Sequence, residues 1–463
     1  MIAVIGAGPA GLALAWRAAL AGHRVVVIER SPHVGGMAAS FDVAGVMVDH
    51  GSHRLHPSID PPLLGALRRL LGDDLQTRPR HGRIRLAGRW VAFPLRPGDL
   101  VRRLPPRLAL GAGIDALAAP LRRPRSDTFA EVVRARLGPT IGRSFYEPYV
   151  DKLWATDPGQ LAGELARRRV GATGPADLVG RMLRGRSGAD SRSTFLYPRT
   201  GFGAISEALA EAATAAGAEL RLGASVDRID RSGRDHVTVA LGDGTTTDVD
   251  MVFSTIPLPA LAAAVVPEAP ADVLTAGRGL RHRALVLVYI IVDRPQWTEF
   301  DAHYFPGPEV PASRVSEPKN YRVNPDDPPG RTVLCAEWPC WADDATWNAT
   351  PSDLADRLYR SLTAIGLPDP KPAAVEVRRL PRVYPVYRPG FEWDMSTIEL
   401  WLASDPRLVT LGRQGLFVPD NTHHALAMGW DAALALGPGD GGRFDVAAWT
   451  RARDRFRTNV VED

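Results

Sequence analysis

The sequence predicts an α/β fold built on a βαβ dinucleotide-binding unit, and three observations predict it. An apolar run, Ile2–Ile5, leads into Gly6-Ala7-Gly8-Pro9-Ala10-Gly11, a G-x-G-x-x-G spacing. A helix-forming run, Leu12–Ala21, follows. A second apolar run, Val25–Ile28, then ends on Glu29. The glycine spacing is a weak signal alone; flanked by strand, helix and a strand ending in an acid, it is a strong one.

Each part has a physical task. The first glycine allows the tight turn, the second lets a pyrophosphate approach the backbone, and the third lets the helix pack close to the strand. Pro9 and Ala10 belong to the cofactor set, and the helix that follows presents free N–H groups and a partial positive charge that suit phosphate. Glu29 can accept hydrogen bonds from a ribose, which argues against the 2′-phosphate of NADP.

After Glu29 comes Arg30, then Gly35-Gly36-Met37 in "RSPHVGGMAASF". This resembles the E-x(5–6)-G-G-[RKM] extension of FAD-dependent oxidoreductases of the amine oxidase superfamily. The resemblance implies FAD, with Arg30, Gly35, Gly36 and Met37 in the cofactor set. "YPRTGFGAISEALAEAATAAGAELRLGASVDRID" reads as a turn, a helix and a strand ending at Val226; the resemblance implies that Val226 meets adenine through its backbone. "DVDMVFSTIPLPAL" looks like the next strand and turn. "RLVTLGRQGLFVPDNTHHALAMGWDAALAL" resembles the C-terminal flavin segment. There a strand ends in Gly412-Arg413, and a helix near Met428–Ala433 is expected to point its N-terminus at the flavin. "DHGSHRLHPS", "RVSEPKNY", "YPVYRPGFE" and "GRQGLFVPDN" resemble a bacterial branch that is protoporphyrinogen-oxidase-like or UDP-galactopyranose-mutase-like.

The expected architecture is a discontinuous Rossmann-like FAD-binding domain at 1–75, 190–260 and 405–445. A mainly helical insert covers 76–189. An inserted α+β substrate domain covers 261–404, with strands in "RALVLVYIIVD", "TVLCAEWP" and "RVYPVYRP" and a helix in "PSDLADRLYRSLTAIG".

Three residues are expected to carry catalysis. His53, in the mutase-like loop "GSHRLH", stands at the flavin edge, where it can steer a donor or take a proton. Lys319 is one of three lysines, and amine oxidases often place a lysine by flavin N5. Tyr387, with Tyr384, offers an aromatic wall. Arg83, Arg85 and Arg89 alternate around a turn and read as a solvated edge strand or an anion contact.

Lys+Arg is 56 and Asp+Glu is 52, a net charge of +4 that gives no case for nucleic acid. Two cysteines make neither a disulfide framework nor a metal set, and fit a reducing cytoplasm. "VRRLPPRLALGAGIDALAAPLRRPR" reads as a surface-packed helix, with membrane attachment the alternative. The expected function is oxidation or desaturation of a small metabolite or sugar-derived substrate, anionic or nucleotide-linked, with hydride leaving at flavin N5. O2 or another acceptor takes the electrons. The alternative is a redox-neutral mutase, which needs reduced flavin and consumes nothing.

Overall fold

The structure is a computed structural model that describes residues 1–95, 99, 102–170, 193–439 and 443–462. Its centre is a five-stranded parallel sheet in the order Leu408–Thr410, Met251–Ser254, Ile2–Ile5, Val25–Glu29, Glu219–Leu222. The apolar runs at both ends of the βαβ unit are buried throughout, as a parallel sheet covered on both faces requires. Side-chain alternation divides them between two cores. Ile2, Val4, Val25 and Val27 enter one with helices Pro9–Leu20, Ala204–Ala215 and Thr422–Ala435. Ala3, Ile5, Val26 and Ile28 enter the other with helices Phe129–Leu137, Glu147–Trp154 and Gly163–Val170.

Close backbone approach holds the first layer together. A Cβ on Gly11 would lie 2.0 Å from the Gly6 carbonyl oxygen, and one on Gly429 would lie 2.0 Å from that of Ala10. Glycine at these positions lets helix Pro9–Leu20 rest on its strand and helix Thr422–Ala435 rest on that helix.

A seven-stranded mixed sheet forms the second body, in the order Ala374–Pro385, His282–Val292, Thr332–Cys340, Arg314–Ser316, Ala302–Tyr304, Gly82–Leu86, Arg89–Phe93. Helix Pro351–Ala364 packs its buried Leu354, Leu358 and Leu362 beneath it. The last two strands come from the stretch that the sequence reading counted with the helical insert. They join through parallel pairing of Gly82–Ile84 with Ala302–Tyr304. From residue 102 to Val170 the insert is mainly helical, and residues 96–98, 100, 101 and 171–189 of its expected span lie outside the described residues. A four-stranded sheet, Thr246–Val249, Val237–Leu241, Val226–Asp230 and Val265–Val266, flanks the second core. Val226 opens one of its strands rather than ending one, because Glu219–Leu222 already completes the parallel sheet and the chain turns after it. The fold is thus α/β with an inserted mixed sheet and a helical insert. Among the described residues no helix is long and apolar enough to cross a membrane, and no cluster of His, Cys, Asp and Glu could hold a metal.

Candidate active site

A cleft of about 1050 Å³ runs between the parallel sheet and the seven-stranded sheet. That is large for a small-molecule pocket, whose volumes run to roughly 1,000 Å³. One wall comes from the βαβ unit and contains Gly6, Gly8, Pro9, Ala10, Glu29, Arg30, Gly36 and Met37. Gly6 takes φ +101°, and a Cβ there would strike the Thr255 hydroxyl at 2.2 Å. The glycine pair is tied to this loop by the Gly35 N–H, which donates to the Ala7 carbonyl at 2.8 Å. Helix Pro9–Leu20 has no side-chain cap at Gly8, so its first-turn N–H groups stay open to an anion. The Glu29 carboxylate is aimed by two backbone donors, Ala7 N at 2.9 Å and Ser31 N at 2.8 Å. Its remaining lone pairs are left for a ligand hydroxyl.

At the far end the cleft meets Gly412, Arg413, Gln414 and the entry to helix Thr422–Ala435 at Asp420-Asn421-Thr422. Arg413 is held by the carbonyls of Asp420 and Val383, at 2.9 and 2.8 Å. Gln414 donates to the Arg382 carbonyl at 2.9 Å. These bonds fasten the edge of one sheet to the other across the cleft. His53 lines the same region, with its ring stacked on Phe202 at 5.2 Å. Burial, with Arg314, His50 and Arg413 adding, pushes its pKa down to about 3, so the imidazole is neutral near pH 7. His53 Nδ1, Arg413 Nε and Gln414 Oε1 are buried with no hydrogen-bond partner.

The facing wall is rich in guanidinium. Arg54, Arg169, Arg314, Arg378 and Arg382 all reach the cleft. Two of them are neutralised: Arg314 grips Glu337 at 2.7 and 2.8 Å, and Arg54 meets Asp301 at 3.0 Å. Arg169 lies over the Trp154 ring at 5.2 Å, and its Nε has no hydrogen-bond partner. Arg378 lies over the Phe41 ring at 4.7 Å and reaches Glu376 at 3.8 Å, and Arg382 makes no ion pair among the described residues. Arg378, Leu380, Arg382 and Tyr384 share one face of strand Ala374–Pro385. Between them, Arg379 turns to the opposite side and donates to the Trp347 and Ala349 carbonyls.

The structure keeps several expected residues out of the cleft. Lys319 is spent on the Pro328 and Arg331 carbonyls, both at 2.7 Å, where it closes a loop. Tyr387 stacks on Phe391 at 4.0 Å, and its hydroxyl donates to the Phe417 carbonyl at 2.7 Å, so it is a core residue. Met428 is fully buried between helices, because the helix begins at Thr422, six residues before the expected start. Gly11 and Gly35 support the loop from behind. Arg83 lies over the Trp90 and Phe300 rings and donates to His303 at 2.9 Å, as a brace inside the sheet. Val226, Gly412, Arg413 and His53 do line the cleft. Arg54, Arg169, Arg314, Glu337, Arg378, Arg382 and Gln414 escaped the sequence reading. Only the alternation in "RRLPRVY" signals any of them.

A sequence profile of the family described as flavin containing amine oxidoreductase matches residues 9–424. The chain belongs to that family. A coproporphyrinogen III oxidase from Propionibacterium freudenreichii subsp. freudenreichii is 28% identical, over 94% of this chain and 92% of its own length. A phytoene dehydrogenase from Streptomyces griseus is 29% identical, over 56% of this chain and 54% of its own. A crystal structure of reduced UDP-galactopyranose mutase superposes with a TM-score of 0.79 at 21% identity, over 99% of both chains, a likeness of fold. Membership makes the chain a flavin-dependent oxidoreductase. The open helix N-terminus, the aimed Glu29 carboxylate and the unpartnered Arg413 and Gln414 atoms fit a flavin nucleotide laid along the cleft.

Proposed function

We propose that this enzyme is FAD-dependent and oxidises a C–N, C–O or C–C bond of a small anionic metabolite or sugar-derived compound, hydride leaving from the C–H of one atom of that bond and a proton from the other. The product is oxidised or desaturated. The observation that carries the reading is the opposition of the two walls: a phosphate cradle faces a guanidinium-rich wall in which Arg169 and Arg382 make no ion pair among the described residues. A dinucleotide suits the length from Glu29 and Val226, past Gly8 and Gly36, to Gly412 and Gln414. Bound FAD supplies a two-electron acceptor that O2 or another oxidant restores.

The chain's own part is positioning and electrostatics. Glu29 binds the ribose and the Pro9–Leu20 helix end binds the pyrophosphate. Arg169, Arg378 and Arg382 draw an anionic group into the cleft, where low-dielectric walls focus their field. His53, neutral near pH 7, offers Nδ1 as a hydrogen-bond partner for the substrate. The relatives named as coproporphyrinogen oxidase and phytoene dehydrogenase support oxidation or desaturation. We assign the protein to the cytoplasm, which keeps the free Cys335 and Cys340 reduced.

A redox-neutral, mutase-like isomerisation is the second reading, favoured by the position of His53 in the cleft. Anaerobic mixing separates the two. Bleaching of the oxidised flavin band by a carboxylate-bearing substrate supports oxidation. If only dithionite-reduced enzyme acts, and returns an isomer of a nucleotide sugar, the mutase reading replaces it.

A further inference from the structure

Helix Pro106–Ala118 is built inside out. Its one buried residue is Asp115, while Leu110, Ile114 and Leu117 are 68%, 57% and 84% exposed. Leu121, in the turn that follows, is 87% exposed. Spacings of four, three and four residues set these four side chains in one stripe. They are four of the twelve large apolar residues exposed among the described residues, so the surface apolarity is concentrated here.

The stripe cannot roll inward, because the other face is fixed by polar bonds. Asp115 accepts from the Thr140 N–H at 2.7 Å and from the Arg122 guanidinium at 2.6 Å. A second Arg122 nitrogen donates to the Asp115 carbonyl at 2.8 Å. Gly111 lies against Thr140, where a Cβ would come within 2.8 Å of the hydroxyl. Rotating the helix to bury its leucines would strand the Asp115 carboxylate and press a side chain into Thr140.

Charge decides what covers the stripe. Arg102, Arg107, Arg123 and Arg125 are exposed on its flanks and make no ion pair among the described residues. A second copy of the chain would bring these like charges together. An anionic bilayer answers both features, with acyl chains for the leucines and headgroup phosphates for the arginines. At 13 residues the helix is about 20 Å long, too short to span a bilayer and suited to lie in its interface.

We propose that this stripe is a membrane-docking face that seats the enzyme on an anionic lipid surface. It is independent of the reaction, since docking is read without turnover. The test is cosedimentation of the flavin-loaded full chain with phosphatidylcholine vesicles, with and without one-third phosphatidylserine. Binding to the anionic vesicles is expected, weakened by salt. Leu117→Glu with Leu121→Glu should reduce it about tenfold or more, with flavin absorbance and melting temperature unchanged. Arg107→Gln with Arg123→Gln should lower it toward the level on phosphatidylcholine alone. No binding to anionic vesicles would overturn the proposal. So would binding that both variants leave intact, or a solution dimer that Leu117→Glu dissolves.

Discussion

The two walls of the cleft are made differently. The cradle wall is backbone: glycines, a helix N-terminus and one carboxylate aimed by two N–H groups. The facing wall is side chain: arginines and tyrosines on a sheet edge and a helical insert. A backbone site depends on close approach and admits few residue types, so it serves a cofactor that never changes. A side-chain site can be altered one residue at a time, and it is where a substrate is chosen.

Breaking the cradle should have the largest effect. Gly11→Ala places a methyl 2.0 Å from the Gly6 carbonyl oxygen and 3.2 Å from Val4. Flavin content of the purified protein should fall to near zero, with FAD affinity down by about a hundredfold or more. Retained flavin at the parent level would show that the cradle can shift. Next comes the anchor of the facing wall. Lys152 donates to the carbonyls of Phe305, Gly307, Val310 and Ala312, tying the helical insert to the loop before Arg314. Lys152→Met leaves buried carbonyls without a donor and should cost roughly 2–4 kcal/mol, read as a lower melting temperature. Substrate selection should respond more gently. Arg378→Ala with Arg382→Ala should raise KM about tenfold to a hundredfold with kcat little changed. A loss in kcat alone would give these arginines a part in the chemistry instead.

The last prediction compares the two bodies through pH. His303, in the seven-stranded sheet, and His423, buried in helix Thr422–Ala435, both have pKa values pushed down to about 3, chiefly by burial. Each binds its proton more weakly folded than unfolded. Stability therefore falls as pH drops below about 6.5, the unfolded value, and goes on falling toward 3. At pH 5 the loss is up to about 2 kcal/mol for each. A melting temperature equal at pH 7 and pH 5 would mean that neither histidine is buried neutral.

The same contrast governs what the sequence revealed. The cradle was legible because its constraints are local. A strand, a turn, a helix start and a second strand lie within Ile2–Glu29, and Gly11 answers contacts with Gly6 and Val4 inside that span. Gly412 and Arg413 were legible through their family resemblance. The facing wall was not, because its residues meet only through pairing across long separations. Arg54 finds Asp301, and Arg314 finds Ser52 and Glu337. Lys319 misled because rarity says nothing of direction, and its ammonium turns to carbonyls of its own loop. Tyr387 misled because the strand's alternation places Tyr384 toward the cleft and the chain leaves the strand at Pro385.

The division of labour between the walls is tested most directly by FAD titration of the Arg378→Ala, Arg382→Ala protein, followed by fluorescence. Separate walls predict a dissociation constant within about twofold of the parent. A value about tenfold weaker or more would contradict the account, because those guanidiniums would then be holding the cofactor and not selecting the substrate.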